Sequence, residues 1–282
     1  MTEIWRMATP IEEARPNKRI SMLKHILNLH VLSKITLRRF RVRVLDDSIV
    51  FPRFIRGDYA DGQIVHITGL KISRLMASFS PNNATLDDLQ EEILPNANVF
   101  NGLFGYNLIQ SSTKEIVVVG RESDAMVIYQ ATKHFVPTVV LPDAGGPLSY
   151  DAVPYLDAFA KSTFWFPTVF YNRVKLFTRR LPAHQRCFVV SPKISALLPA
   201  DLLANETNMT VGYDRIVKVL GIAEIVLLRD IETFASLKEV ARDYVLGTGK
   251  SNGVAQISTL WCSFEIANSR LVSIMVTQMA KL

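Results

Sequence analysis

Apolar and polar positions change period several times along the chain. Residues 1–20 are mostly polar and interrupted by Pro10 and Pro16, which predicts a polar tail. In 21–33, Met22, Leu23, Ile26, Leu27, Val31 and Leu32 recur at near-helical spacing and predict a short amphipathic helix. The period then shortens. Phe40, Val42 and Val44 alternate with Arg39, Arg41 and Arg43, predicting a strand with one wet, basic face. Two apolar runs, 49–55 and 63–72, flank the turn-rich stretch GDYADG and read as a β-hairpin with a longer loop. Residues 87–93 predict a short helical turn before Pro95.

From residue 115 the pattern becomes regular. Strands are predicted at 115–119 (EIVVV), 137–141 (PTVVL), 162–166 (STFWF) and 187–190, with helices at 122–133, 149–160 and 170–180 between them. This alternation predicts an α/β fold: a parallel sheet with right-handed crossovers and helices on both faces. Residues 201–231 are weakly patterned, with partial helix over 213–228. A helix at 234–246 ends at Gly247, and a strand at 259–264 is followed by a helix at 268–281. The divisions expected are a tail (1–20), a small α+β subdomain (21–100), the α/β domain (101–200), a linker region (201–256) with its helix at 234–247, and a last strand–helix fragment (257–282).

Composition narrows the classes. Apolar residues make up 49% and charged residues 21% of 282, an ordinary globular mixture. No window approaches the roughly 18–20 uninterrupted apolar residues of a membrane span. Cys187 and Cys262 are the only cysteines, too few for a disulfide framework or a Cys-based zinc site. The net charge is +6. Residues 1–45 hold ten Lys/Arg and three Glu, so this segment is +7 and the remainder sums to −1. Within that remainder, 158–200 contains no Asp or Glu but carries Lys161, Arg173, Lys175, Arg179, Arg180, Arg186 and Lys193. Such a run either attracts phosphate backbones by counterion release or forms a solvated face whose acidic partners come from elsewhere in the fold. The N-terminus is basic, but Glu3, Glu12 and Glu13 make it a poor organelle presequence.

Two motifs suggest chemistry. Gly247-Thr248-Gly249-Lys250-Ser251 looks like the end of a phosphate-binding P-loop, but Tyr244 stands where the opening glycine belongs. The segment also follows a predicted helix instead of a strand, so it reads as a helix C-cap and no nucleotide site is assigned. Glu122 and Asp124 fall at the junction of EIVVV with its helix. Carboxylates at strand C-termini sit where ligands and metals bind, although acids are also favoured at any helix N-terminus.

The order of segments is more informative than either motif. LFGYNLI (103–109), EIVVVGRESDAMVIYQAT (115–132), PTVVLPDAGGPL (137–148), VPYLDAF (153–159), STFWF (162–166), KLFTRRL (175–181) and RCFV (186–189) together resemble the TOPRIM region of the primase–helicase family, in particular its mitochondrial replicative helicases. Upstream, TLRRFRVRVL and IVFPRF (36–45, 49–54) resemble the first half of the primase-like module. Downstream, TLWCSFEIANSRLVSIMVTQMA (259–280) resembles the first ATPase-core strand and helix beyond the P-loop. The resemblance implies a mitochondrial location, a DNA partner bound without sequence preference in single- or double-stranded form, and an activity of ATP-dependent 5'-3' DNA unwinding with ATP and Mg²⁺ as cofactors. It also implies self-association, or association with full-length helicase subunits, through the helix at 234–247. DNA contacts are expected from Arg39, Arg41, Arg43, Arg173, Lys175, Arg179, Arg180 and Arg186.

The departures are as specific. Catalytic TOPRIM primases place a Glu directly after the first strand and a D-x-D pair after the third, acids that serve two-metal phosphoryl transfer. This chain has Gly120 at the first place and Pro167-Thr168-Val169-Phe170 at the second. Glu122 and Asp124 are what remains, so no metal site, no cofactor and no primer synthesis are expected. The family's P-loop unit is missing between the linker-like helix and 259–264, so the chain reads as a shortened member without its own ATPase. Glu265 matches the family's catalytic Glu but has no phosphate site to serve. Two other readings stand beside this one: an assembly module that joins helicase rings without touching DNA, and a residual metal-dependent enzyme using Glu122 and Asp124. ATP hydrolysis by the purified chain is expected at background, and Lys250→Ala is expected to leave it unchanged in a phosphate-release assay.

Overall fold

In the computed structural model the residues described are 1–15, 17–56, 65–76, 88–95, 100–141, 150–182 and 185–225. They lie within one unit, Met1–Val226. The elements predicted at 234–247, 259–264 and 268–281, the GTGKS segment and Glu265 fall outside the described residues.

The first half builds an antiparallel sheet. After α1 (Thr2–Met7), β1 (Thr9–Pro10), α2 (Lys18–Ile26) and α3 (Lys34–Arg39) come β2 (Arg43–Leu45), β3 (Ser48–Arg56), β4 (Val65–Leu75) and β5 (Leu89–Leu94). The five strands lie in the order β1-β2-β3-β4-β5. The predicted hairpin is β3–β4, paired from Ser48↔Arg74 to Arg56↔Val65 with an irregularity at Arg53/Phe54. Three expectations fail here. Residues 1–20 are not a simple tail: β1 pairs with β2, and Ile11 is buried in the core. Residues 34–39 are helical, because Ser33 caps the Thr36 N–H and starts a turn that the alternating pattern concealed. Arg41 then turns the chain with φ 55°, and the strand begins only at Arg43. Residues 89–94 form β5 instead of a helical turn, because β4 offers an edge that pairs in register from Leu70↔Leu94 to Leu75↔Leu89.

The second half builds the parallel sheet. Its elements are β6 (Glu115–Val119), α4 (Glu122–Ala131), β7 (Thr138–Val140), α5 (Val153–Leu156), β8 (Lys161–Trp165), α6 (Tyr171–Thr178), β9 (Arg186–Val189), α7 (Pro199–Ala204), α8 (Met209–Gly221) and β10 (Glu224–Ile225). Strand order is β10-β9-β8-β6-β7. The β6–β7, β6–β8 and β8–β9 pairs are parallel, and β10 closes the edge antiparallel to β9. Helix α5 is much shorter than the predicted 149–160. The weakly patterned 201–225 contains most of α7, all of α8 and β10.

Alternation within β6 sorts the two faces. Val117 and Val119 pack with α4, α7, α8 and Phe40. Ile116 and Val118 pack with Phe164, Leu156, Val174 and Phe177, placing α5 and α6 on the opposite face. Burying a side chain such as Phe177 contributes about 2–3 kcal/mol. No helix among the described residues is long and apolar enough to cross a membrane.

The chain passes between the sheets at 102–105. Phe54 and Leu103 exchange both backbone hydrogen bonds (3.0 and 2.9 Å), and the Val140 N–H donates to the Phe104 carbonyl at 3.0 Å. Gly105 has φ 84°, and a Cβ there would lie 2.2 Å from the Thr138 carbonyl oxygen. Gly105→Ala is therefore expected to destabilise by about 2 kcal/mol or more. Gly221 provides the contrast, since a Cβ added there would meet nothing within 4 Å. Gly221→Ala is expected to stabilise by about 0.5–1 kcal/mol. Urea midpoints of the two variants check both.

Candidate functional site

The C-terminal ends of β6 and β8 are where a parallel sheet places its ligands. Gly120 to Asp124 follow β6, and Pro167 to Phe170 follow β8. Glu122 and Asp124 occupy the first turn of α4, where the helix dipole favours acids. Both carboxylates are buried, and each is committed to a cation of the protein.

Glu122 accepts from the Lys71 ammonium of β4 at 3.0 Å. Lys71 also reaches Glu91 of β5 at 2.8 Å. Arg53, whose guanidinium donates to Asn101 Oδ1 at 2.8 Å, adds a second positive charge facing Glu122. Burial pushes the Glu122 carboxyl up, but Lys71 and Arg53 outweigh it and hold it below the ordinary glutamate value. Burial likewise works to lower the Lys71 ammonium, and Glu122 with Glu91 holds it above its ordinary value.

Asp124 is fully buried. Arg121 grips it with two bonds, Nε to Oδ2 at 2.8 Å and an Nη to Oδ1 at 3.0 Å, and the Ala200 N–H adds a third at 2.9 Å. The same guanidinium donates to Asp201 at 2.8 Å, and Asn28 donates to the other Asp201 oxygen at 3.1 Å. Arg121 thus joins α4, α7 and the turn after α2. The two acids face different cations on different elements, and they do not form a shared ligand set. Among the described residues no group of three or more His, Cys, Asp or Glu converges as a metal site. A cavity of about 70 Å³ lies beside these groups, lined by Phe51, Lys71, Glu91, Arg121, Glu122 and Ser123 among others. It has room for about two water molecules.

The expected DNA-contacting residues fall on two surfaces. Arg173 and Arg180 of the α6 region and Arg186 of β9 are exposed, while Lys175 and Arg179 are half-buried. Arg173 lies over Phe170 and Lys175 over Tyr171, at 5.8 and 5.5 Å from the ring centroids. Thr168 and Val169, in the segment after β8, are exposed, Val169 at 80%. Arg39, Arg41 and Arg43 do not form one wet face, because helix and turn send them apart. Arg39 donates to the Tyr129 hydroxyl at 2.9 Å on α4. Arg41 covers the Phe54 ring. Arg43 stacks on Trp5 at 4.1 Å and donates to the Trp5 and Ala8 carbonyls. The acidic partners of the acid-free stretch come in part from elsewhere: Lys161 pairs with Glu115 at 3.0 Å, and Tyr171 and Ser191 both donate to Glu224.

Lys71, Arg53, Arg121 and Asp201 were not legible as site residues. A single lysine between Leu70 and Ile72 in an apolar strand is a signal that the side chain is paired, but it does not name the partner.

No protein-family model matches the chain. Among solved structures, the DnaG primase catalytic domain bound to single-stranded DNA matches with a TM-score of 0.56 at 13% identity, covering 100% of this chain and 93% of that one. The DnaG catalytic core gives 0.55 at 13% identity, covering 99% and 93%. The primase fragment of the bacteriophage T7 primase-helicase gives 0.48 at 18%, covering 66% and 69%. The DnaG matches define the class of fold: this is a primase-like fold with a TOPRIM-like parallel sheet.

Removing Glu122 leaves the buried Lys71 ammonium with the exposed Glu91 as its remaining partner. Glu122→Gln is therefore expected to cost about 3 kcal/mol, and Glu122→Leu with Lys71→Met to recover most of it. Because the Glu122 pKa is depressed on folding, its contribution is complete above the ordinary glutamate range and lost as pH falls through the folded-state value. Denaturation of Glu122→Gln between about pH 3 and 7 is expected to lack that segment of the wild-type pH dependence.

Proposed function

We propose that this chain is a Twinkle-like mitochondrial DNA replication protein of the primase–helicase family. In this reading it retains the primase-fold DNA-binding half and has lost primer synthesis. Support comes from the order of resembling segments across 34–282 and from the primase-like fold. The observation that carries the reading is the contrast between two surfaces of one sheet. At the strand ends, Lys71 and Arg121 already supply the positive charge that a divalent ion would bring to Glu122 and Asp124. On the α6 face, Arg173 and Arg180 are exposed in a stretch without acids. The solved DnaG domain is bound to single-stranded DNA, and the same class of partner is proposed here.

Neither a metal nor a nucleotide is assigned to this chain. The residual-enzyme reading is disfavoured because Glu122 and Asp124 are paired internally. The absence of an intrinsic ATPase rests on Tyr244, which stands where the P-loop's opening glycine belongs upstream of GTGKS. Mitochondrial location, and joining of full-length helicase subunits through 234–247, belong to the same proposal.

Binding is expected to be nonspecific, with a dissociation constant on the order of 10⁻⁴–10⁻⁶ M at physiological salt. Arg173 and Arg180 are the preferred test positions, since both are exposed on the α6 side whereas Arg179 is half-buried. Arg173→Glu with Arg180→Glu is expected to weaken binding across all sequences and to reduce the log–log salt slope by about two. Fluorescence anisotropy with single- and double-stranded oligonucleotides at several salt concentrations checks this. If the double variant binds like wild type at matched salt, the basic face is only solvated and the assembly-module reading takes its place.

A further inference from the structure

The turn after α4 is built differently from the others. Lys133 and His134 both adopt left-handed backbone, with φ 53° and 69°, although neither is glycine. Consecutive left-handed residues of this kind are uncommon and persist only where the surroundings hold them. Here the Lys133 N–H donates to the Gln130 carbonyl at 3.0 Å and the His134 N–H to the Tyr129 carbonyl at 2.8 Å. The His134 Nε2 lies 3.3 Å from Thr36 Oγ1, and Gln130 Oε1 accepts from Thr36 and from the Ser33 N–H at 2.8 Å each. The turn is thereby fastened to α3.

What this arrangement presents is Phe135, the most exposed large hydrophobic side chain of the described residues at 83%. Ile35, next to Thr36 on the fastened helix, is 59% exposed. Lys34 and Arg39 on α3 and Lys133 in the turn are exposed as well. Among the described residues neither Lys34 nor Lys133 forms an ion pair, and no Asp or Glu occurs in 14–45 or 125–142. The nearby acids are Glu12, bonded to Arg38 at 2.8 Å, and the exposed Glu13, which also acts on Arg38. This surface lies on the α4 face of the sheet, opposite α6, so the proposed DNA surface does not account for it.

We propose that Phe135 and Ile35, with Lys34, Arg39 and Lys133, form a docking site for an acidic protein segment carrying an aromatic side chain. The apolar pair takes the aromatic ring, and the lysines and arginine pair with flanking carboxylates. The strained turn fixes the knob in place, so little ordering is lost on binding.

The test uses the full chain and three labelled twelve-residue peptides. One carries a Trp among Asp and Glu, the second has Ser in place of the Trp, and the third has Lys in place of the acids. The first peptide is expected to bind at least tenfold tighter than either other. Phe135→Ser is expected to weaken it about tenfold or more without changing the melting temperature, since the side chain is exposed. Lys133→Glu is expected to do the same, with a reduced salt dependence, while DNA binding through α6 is unchanged. Equal binding of the first two peptides, or an unaffected Phe135→Ser variant, overturns the proposal. So does loss of oligonucleotide binding in Phe135→Ser, which would make this surface a nucleic-acid contact.

Discussion

The Lys71–Glu122 ion pair is the constraint on which the arrangement of the two sheets depends. Lys71 is on a central strand of the antiparallel sheet, and Glu122 opens the helix that follows the first strand of the parallel one. Each charge is buried, and the pair offsets the desolvation of both, with Glu91 and Arg53 adding to it. The pair therefore fixes which end of α4 faces β4 and β5. The Arg121 fork repeats this logic in the other direction, tying the same helix end to Asp201 and, through Asp201, to Asn28. A helix N-terminus that resembles a metal-binding crest is thus held by the protein's own cations.

The acids at this crest are held by cations that each serve two carboxylates: Lys71 binds Glu122 and Glu91, and Arg121 binds Asp124 and Asp201. A remaining acid without its partner would be a costly buried charge, and none of that kind is left at this crest: Glu122 and Asp124 each have one.

The parallel sheet was legible because β6, β7, β8 and β9 are short apolar runs with helix-period segments between them, a pattern set by local burial. Helix α3 was not, because an Arg/apolar alternation of six residues fits a strand as well as the last turn of a helix and its exit. The decision was made by Ser33 and by the left-handed Arg41, which no periodicity records. Strand β5 was missed because its register comes from β4, and a sequence that forms an edge strand only when a partner is present has no signal of its own. Glu122 and Asp124 were found from their position after EIVVV. Their partners were not, since Lys71 is 51 residues away and Asp201 lies 80 residues from Arg121.

The crossing at 102–105 has a mechanical consequence. Two strands of different sheets are joined there by backbone hydrogen bonds, Phe54 with Leu103 and Phe104 with Val140, instead of by side-chain packing alone. A hinge between the sheets would have to break peptide–peptide bonds before any domain rotation could begin. The two sheets are therefore coupled through main-chain hydrogen bonds as well as through packing.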